Sequence, residues 1–161
     1  GGVTVNSNFD VKEFEAAQAA MKSSSIVSNQ VEYSMIVRYV EKELLAFCQK
    51  NSITIIAYSP LARGAIFSER YKGLTGLLGK IAANHSKSIA QVALNWLIEK
   101  KGVVAIPKAT DEKHVIDNAG ASGWKLTKKE QDEIGTFLLR INKQCALHVV
   151  LLSRSHLKRS S

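Results

Sequence analysis

The sequence predicts a parallel α/β architecture on three observations. Four short runs rich in β-branched and apolar residues, 3–6, 26–33, 53–58 and 103–106, read as buried strands. Stretches with apolar residues at helical spacing follow them. Each strand ends in polar groups: Ser7 and Asn8, Gln30 and Glu32, Tyr58 and Ser59, then Lys108. Strand and helix alternation implies right-handed parallel crossovers. Closed barrels gather their chemistry at the carboxyl ends of several strands, whereas open sheets use one switch point. No Gly-x-Gly-x-x-Gly opens any helix, so the usual dinucleotide fingerprint is absent. A complete barrel needs eight strands and about 250 residues. Four strands in 161 residues therefore predict half of a TIM-type (β/α)8 barrel over residues 1–143, followed by a basic tail, 144–161, of unassigned role.

The elements follow from local chemistry. After the first strand, Asp10 with Glu13 forms a capping box, and Phe14, Ala17 and Met21 keep helical spacing, predicting a helix over 11–22. After the second, Val40, Leu44, Phe47 and Cys48 form an apolar stripe on a helix ending near Asn51, with Cys48 facing the core. A glycine-punctuated stretch through Gly64, Gly73, Gly76 and Gly79 leads to a helix over 77–84. Ser88 and Gln91 then box the start of another, whose stripe of Ile89, Val92, Ala93, Trp96 and Leu97 is core. The fourth strand leads through Lys108 to a helix opening at Asp111 and Glu112. Thr127 with Glu130 caps the last helix, with Ile134, Phe137, Leu138 and Ile141 inward.

Composition narrows the function classes. With 45% hydrophobic residues the chain builds one real core, and no run of about 18 apolar residues marks a membrane span. A soluble, cytoplasmic protein is expected. Cys48 and Cys145 lie far apart and form no zinc-type cluster, so both read as reduced structural thiols and no metal site is expected. Lys and Arg exceed Asp and Glu by 22 to 14, a net charge of +8 that attracts phosphates of any kind. A nucleic-acid binder would add interleaved aromatics or a recognition motif, and neither is present. Arg154, Lys158 and Arg159 crowd the end of the chain and read as a solvated tail.

Ser7-Asn8-Phe9, Asn29-Gln30-Val31-Glu32-Tyr33, Ala57 through Gly64, and Ile106-Pro107-Lys108-Ala109-Thr110 with Asn118 resemble the aldo-keto reductases in order and spacing. The resemblance covers roughly residues 3–133 and implies strands five to eight of a barrel that holds NADP(H) or NAD(H) in extended form. On that resemblance, Ser7, Asn8 and Gln30 would hydrogen-bond the nicotinamide carboxamide, a target for hydroxyl and amide groups. Tyr58 would stack on the nicotinamide ring. Ser59, Pro60, Leu61, Arg63 and Gly64 would cross the pyrophosphate. Lys108, Ala109 and Thr110, with His114, Asp117 and Asn118 on the following helix, would meet the adenosine end. Without the resemblance, a Ser-Asn pair ending a strand caps a turn and a terminal Tyr is core.

Two departures qualify the implied function. His114 stands where members preferring NADPH carry an arginine, and neutral imidazole is a poorer phosphate partner than a guanidinium, leaving Lys108, Thr110 and Lys113 to compensate. The family's catalytic Asp, Tyr, Lys and His lie on the first four strands, which would precede Gly1. Tyr33, Tyr39 and Tyr71 lie beside no evident proton relay, and His85, His148 and His156 read as surface or packing residues. The expected function is hydride transfer between a nicotinamide dinucleotide and a carbonyl or alcohol, with no catalytic residue in this half. The alternative is a non-catalytic nucleotide-binding half-barrel or a relic. Expected partners are the dinucleotide and either an amino-terminal half or a second copy; nucleic acid and membrane are not expected.

Overall fold

The computed structural model describes the backbone of residues 2–21 and 24–157 and the side chains of 4–21 and 24–143. The chain divides into two compact units, Gly1–Leu126 and Thr127–Ser161. In the first, β1 (Gly2–Ser7), α1 (Val11–Ala20), β2 (Ser24–Glu32), α2 (Leu44–Lys50), β3 (Thr54–Tyr58), α3 (Lys72–His85), α4 (Ile89–Ile98), β4 (Val103–Ile106) and α5 (Glu112–Ala119) follow in turn. The strands form one parallel sheet in the order β1-β2-β3-β4. A doubly wound sheet would reverse strand order somewhere. A sequential parallel order is that of a barrel wall, so the unit is part of a TIM-type barrel.

The two faces of this sheet differ. Asn29, Val31, Ile55, Ala57 and Val103 alternate onto one face and are buried. The other face carries Val5, Gln30, Ile56, Tyr58, Val104 and Ile106, of which Val5, Val104 and Ile106 are 61%, 50% and 42% exposed. A bulge between Thr4 and Val5 shifts the β1–β2 register, so that Ser7 pairs with Gln30 at the strand ends.

Local chemistry fixes the helices. Asp10 and Glu13 form the expected capping box on α1, with both bonds at 2.8 Å, and Ser88 and Gln91 form another on α4. Phe14, Leu74, Leu78, Val92, Ala93 and Leu97 are fully buried. Two helices differ from expectation. The segment after β2 opens with a 3-10 turn, Tyr39–Glu41, and only then forms α2; Val40 and Cys48 are nonetheless buried. α3 starts at Lys72 rather than near Leu77, because burial of Leu74 and Leu78 outweighs the low helix propensity of Gly73 and Gly76.

In the second unit, α6 spans Lys128–Leu157. Thr127 and Glu130 bond reciprocally at its start, and Ile134 and Leu138 are buried while Phe137 and Ile141 are half-buried. The helix continues through residues 144–157, and no Gly or Pro interrupts residues 136–157. The side chains of Cys145, His148 and Arg154, and all of Lys22, Lys158 and Arg159, lie outside the described residues. Among the described residues no helix is long and apolar enough to cross a membrane.

Candidate functional site

Parallel pairing brings the carboxyl ends of β1, β2 and β3 side by side. Asn8 takes a left-handed conformation, φ 58°, which asparagine tolerates well. Its N–H donates to the Gln30 carbonyl at 2.8 Å, and the Ser7 hydroxyl donates to the same oxygen at 3.3 Å. The turn is gripped from beneath by Asn29. Its amide donates to the Phe9 carbonyl at 2.9 Å and accepts the Phe9 N–H at 3.3 Å. The Tyr58 hydroxyl donates to Asn8 Oδ1 at 3.3 Å. Ser7, Asn8, Gln30 and Tyr58, assigned together from sequence, therefore stand together.

A second group lies across β3 and β4. Ser59, Pro60, Leu61, Arg63 and Gly64 form one wall of a cleft of about 650 Å3, and Ile106, Pro107, Lys108, Thr110 and His114 form the other. The first wall is a tight double turn, with Ala62 N–H on the Ser59 carbonyl at 2.7 Å and Gly64 N–H on Leu61 at 3.0 Å. Ser59, Ala62, Arg63 and Gly64 all have positive φ, from 49° to 85°. Three are not glycine, so the loop holds backbone strain. At Gly64 an added Cβ would meet nothing within 4 Å but would still be strained.

Asp111 caps α5 by accepting the His114 N–H at 2.9 Å, and its other oxygen lies 3.0 Å from His114 Nδ1. Sequence reasoning missed this carboxylate beside the imidazole, although Asp three residues before His at a helix start was a readable signal. Ala109, Asp117 and Asn118 do not line the cleft. Asp117 instead ties α5 to α4, accepting from the Ser88 hydroxyl at 3.0 Å and the Gln91 amide at 2.8 Å.

Among the described residues no group of His, Cys, Asp and Glu could hold a metal ion. Tyr33 is buried and hydrogen-bonded to Glu41; burial, then that carboxylate, push its phenol well above the ordinary range. Tyr39 shares a smaller cleft of about 320 Å3 with Asn8, Lys42 and Glu43, and burial pushes its phenol up as well. Both shifts make a weaker proton donor. His85 packs on Trp124, with ring centres 4.8 Å apart.

Sequential parallel strands with polar groups at their carboxyl ends and a cation-lined cleft beside them define a barrel-type fold whose candidate site lies at that rim. The chain belongs to the Aldo/keto reductase family, whose sequence model matches residues 3–138. It is 36% identical over 128 residues to the NAD(P)H-dependent 6'-deoxychalcone synthase of Glycine max, covering 80% of this chain and 39% of that protein. It is 35% identical to the glyoxal reductase of Bacillus subtilis, covering 80% and 43%. Among solved structures, a thermostable aldo-keto reductase crystallised with the inhibitor epalrestat superposes with a TM-score of 0.73 at 41% identity, covering 81% of this chain and 46% of that one. The aldo-keto reductase of Klebsiella pneumoniae in complex with NADPH gives a TM-score of 0.72 at 29% identity, covering 82% and 46%. The chain thus spans about two-fifths of the length of the curated relatives it matches.

Proposed function

We propose that the chain is the cofactor-holding half, strands five to eight, of a nicotinamide-dependent reductase of carbonyls that can also oxidise alcohols, working in the cytoplasm. The observation that carries this reading is the cleft between residues 59–64 and 106–114. It joins Arg63, Lys108 and the start of α5 around one space of about 650 Å3. Two cations and a helix amino end suit phosphates, and the volume is that of a small-molecule site. The polar rim of Ser7, Asn8, Gln30 and Tyr58 continues it along the strand ends.

These residues fit NADP(H) or NAD(H). Ser7, Asn8 and Gln30 would hold the carboxamide and Tyr58 the ring; Ser59, Pro60, Leu61, Arg63 and Gly64 would hold the pyrophosphate; Lys108, Thr110 and His114 would hold the adenosine end inside the cleft, with Ala109, Asp117 and Asn118 flanking it from outside the lining. When bound, the dinucleotide supplies or accepts the hydride. This half binds and orients it. The general acid would lie outside this half: no residue here matches the family's catalytic Asp, Tyr, Lys and His, and Tyr33 is committed to Glu41. Residues 1–143 carry this role, and 144–161 are left without one.

A second reading, a non-catalytic nucleotide-binding half-barrel or relic that self-associates, is favoured by the exposed Val5, Val104 and Ile106. The cofactor-holding role requires nucleotide binding, which a relic need not retain, so calorimetric titration with NADPH and NADH is the first test. Lys108→Ala should weaken NADPH more than NADH, which lacks the 2′-phosphate; equal losses refute the adenosine-end assignment. Turnover of generic aldehydes by the 161-residue chain, in a preparation free of other reductases, would refute the absence of a proton donor.

A further inference from the structure

A side-chain network away from the cleft ends on the tip of the same strand. Tyr33 follows β2, and its N–H donates to the Tyr58 carbonyl at 3.3 Å, one step beyond the last ladder pair, Glu32 with Tyr58. Its hydroxyl donates to Glu41 Oε1 at 2.6 Å. The other carboxylate oxygen accepts Arg38 Nε at 2.9 Å and Nη2 at 2.5 Å. The Arg38 guanidinium lies 5.6 Å from the centre of the Trp96 ring, and Tyr33 meets the same ring edge-on at 6.4 Å. Tyr33 is fully buried, and the Arg38 and Glu41 side chains are only 19% and 22% exposed. The 3-10 turn after β2, the core tryptophan of α4 and the end of β2 are thus locked together.

Two constraints meet at Tyr58: Tyr33 holds its backbone and Asn8 accepts from its hydroxyl at 3.3 Å. The adenosine side of the cleft, residues 107–114, shares neither contact, although Ile106 before it pairs with Tyr58 along the β3–β4 ladder. We infer that Tyr33 and Glu41 are positioning residues for the nicotinamide end of the dinucleotide site. They set the place and tilt of Tyr58 without touching the ligand. This rests on the dinucleotide reading above. A ring held in its binding orientation before the ligand arrives loses less freedom when it stacks, so slack in the network should weaken the nicotinamide contact alone.

The test uses the full chain and two ligands, NADH and ADP-ribose, which lacks the nicotinamide. Tyr33→Phe keeps the ring against Trp96 and leaves the Arg38 and Glu41 pair intact. It should lower NADH affinity by about three- to tenfold, the scale of one hydrogen bond, and leave ADP-ribose within about twofold. Glu41→Gln should act in the same direction and more strongly; if it does not fold by circular dichroism, Tyr33→Phe decides. Equal losses for both ligands, or none, overturn the positioning role while leaving the dinucleotide reading intact. An unaltered chain that binds neither ligand overturns that reading and this inference with it.

Discussion

Replacing Asn29 by alanine tests how the first turn of the rim is held. Asn29 is fully buried, and its amide closes two hydrogen bonds on the backbone of Phe9, at 2.9 and 3.3 Å. Alanine leaves that carbonyl and N–H without partners in a part-buried place. Each orphaned group costs about 1–3 kcal/mol, and because water reaches half-buried Phe9 the lower part of the range applies, about 2–4 kcal/mol for the pair. Urea unfolding followed by circular dichroism measures this directly. Asn29→Leu separates the possible causes, since it refills the volume without restoring either bond. It should be destabilised almost as much as the alanine variant. A loss below about 1 kcal/mol in the alanine variant, or full rescue by leucine, would refute the hydrogen-bonding account.

Other consequences are open to measurement. Burial pushes the Cys48 thiol up to about 11, so in a Cys145→Ser background it should react with a thiol reagent at pH 8 only as fast as the chain opens; rapid labelling of the native chain would contradict this. His114→Arg should raise NADPH affinity selectively, by about 1.5–3 kcal/mol, with the Asp111 carboxylate competing for the new guanidinium and pulling the gain toward the lower end. NADPH and NADH titrations that rise together would count against it. The exposed Val5, Val104 and Ile106 predict self-association at high concentration; light scattering across a concentration series that finds a monomer throughout would exclude it.

Much of this arrangement was legible because its chemistry is local. The strands announce themselves as β-branched runs, and β4 falls at Val103–Ile106 as expected. Capping boxes at Asp10 and Ser88 depend on residues three apart, a spacing that sequence shows directly. The segment after β2 was misjudged because tertiary partners shape it: Arg38, Glu41 and Tyr33 converge there, and no periodicity encodes a carboxylate shared between an arginine and a tyrosine. The rim residues were legible through family motifs, yet those motifs gave no reason for Asn29 or Asp111. Asn29 acts on a backbone turn twenty residues earlier, and Asp111 marked only the opening of a helix, with nothing to show that its second oxygen meets His114.

The sequential strand order carries a consequence for how such a molecule is made. Among the described residues each strand pairs only with its neighbours along the chain, so every pairing within this sheet closes over one strand-and-helix crossover, a loop cost that grows only slowly with length. Growth can proceed one strand-and-helix step at a time from either side. The same property makes the architecture modular in inheritance: a gene duplicated, cut or fused at the boundary of a step yields a product whose remaining pairings are unchanged, with the disturbance confined to the two strands at the join.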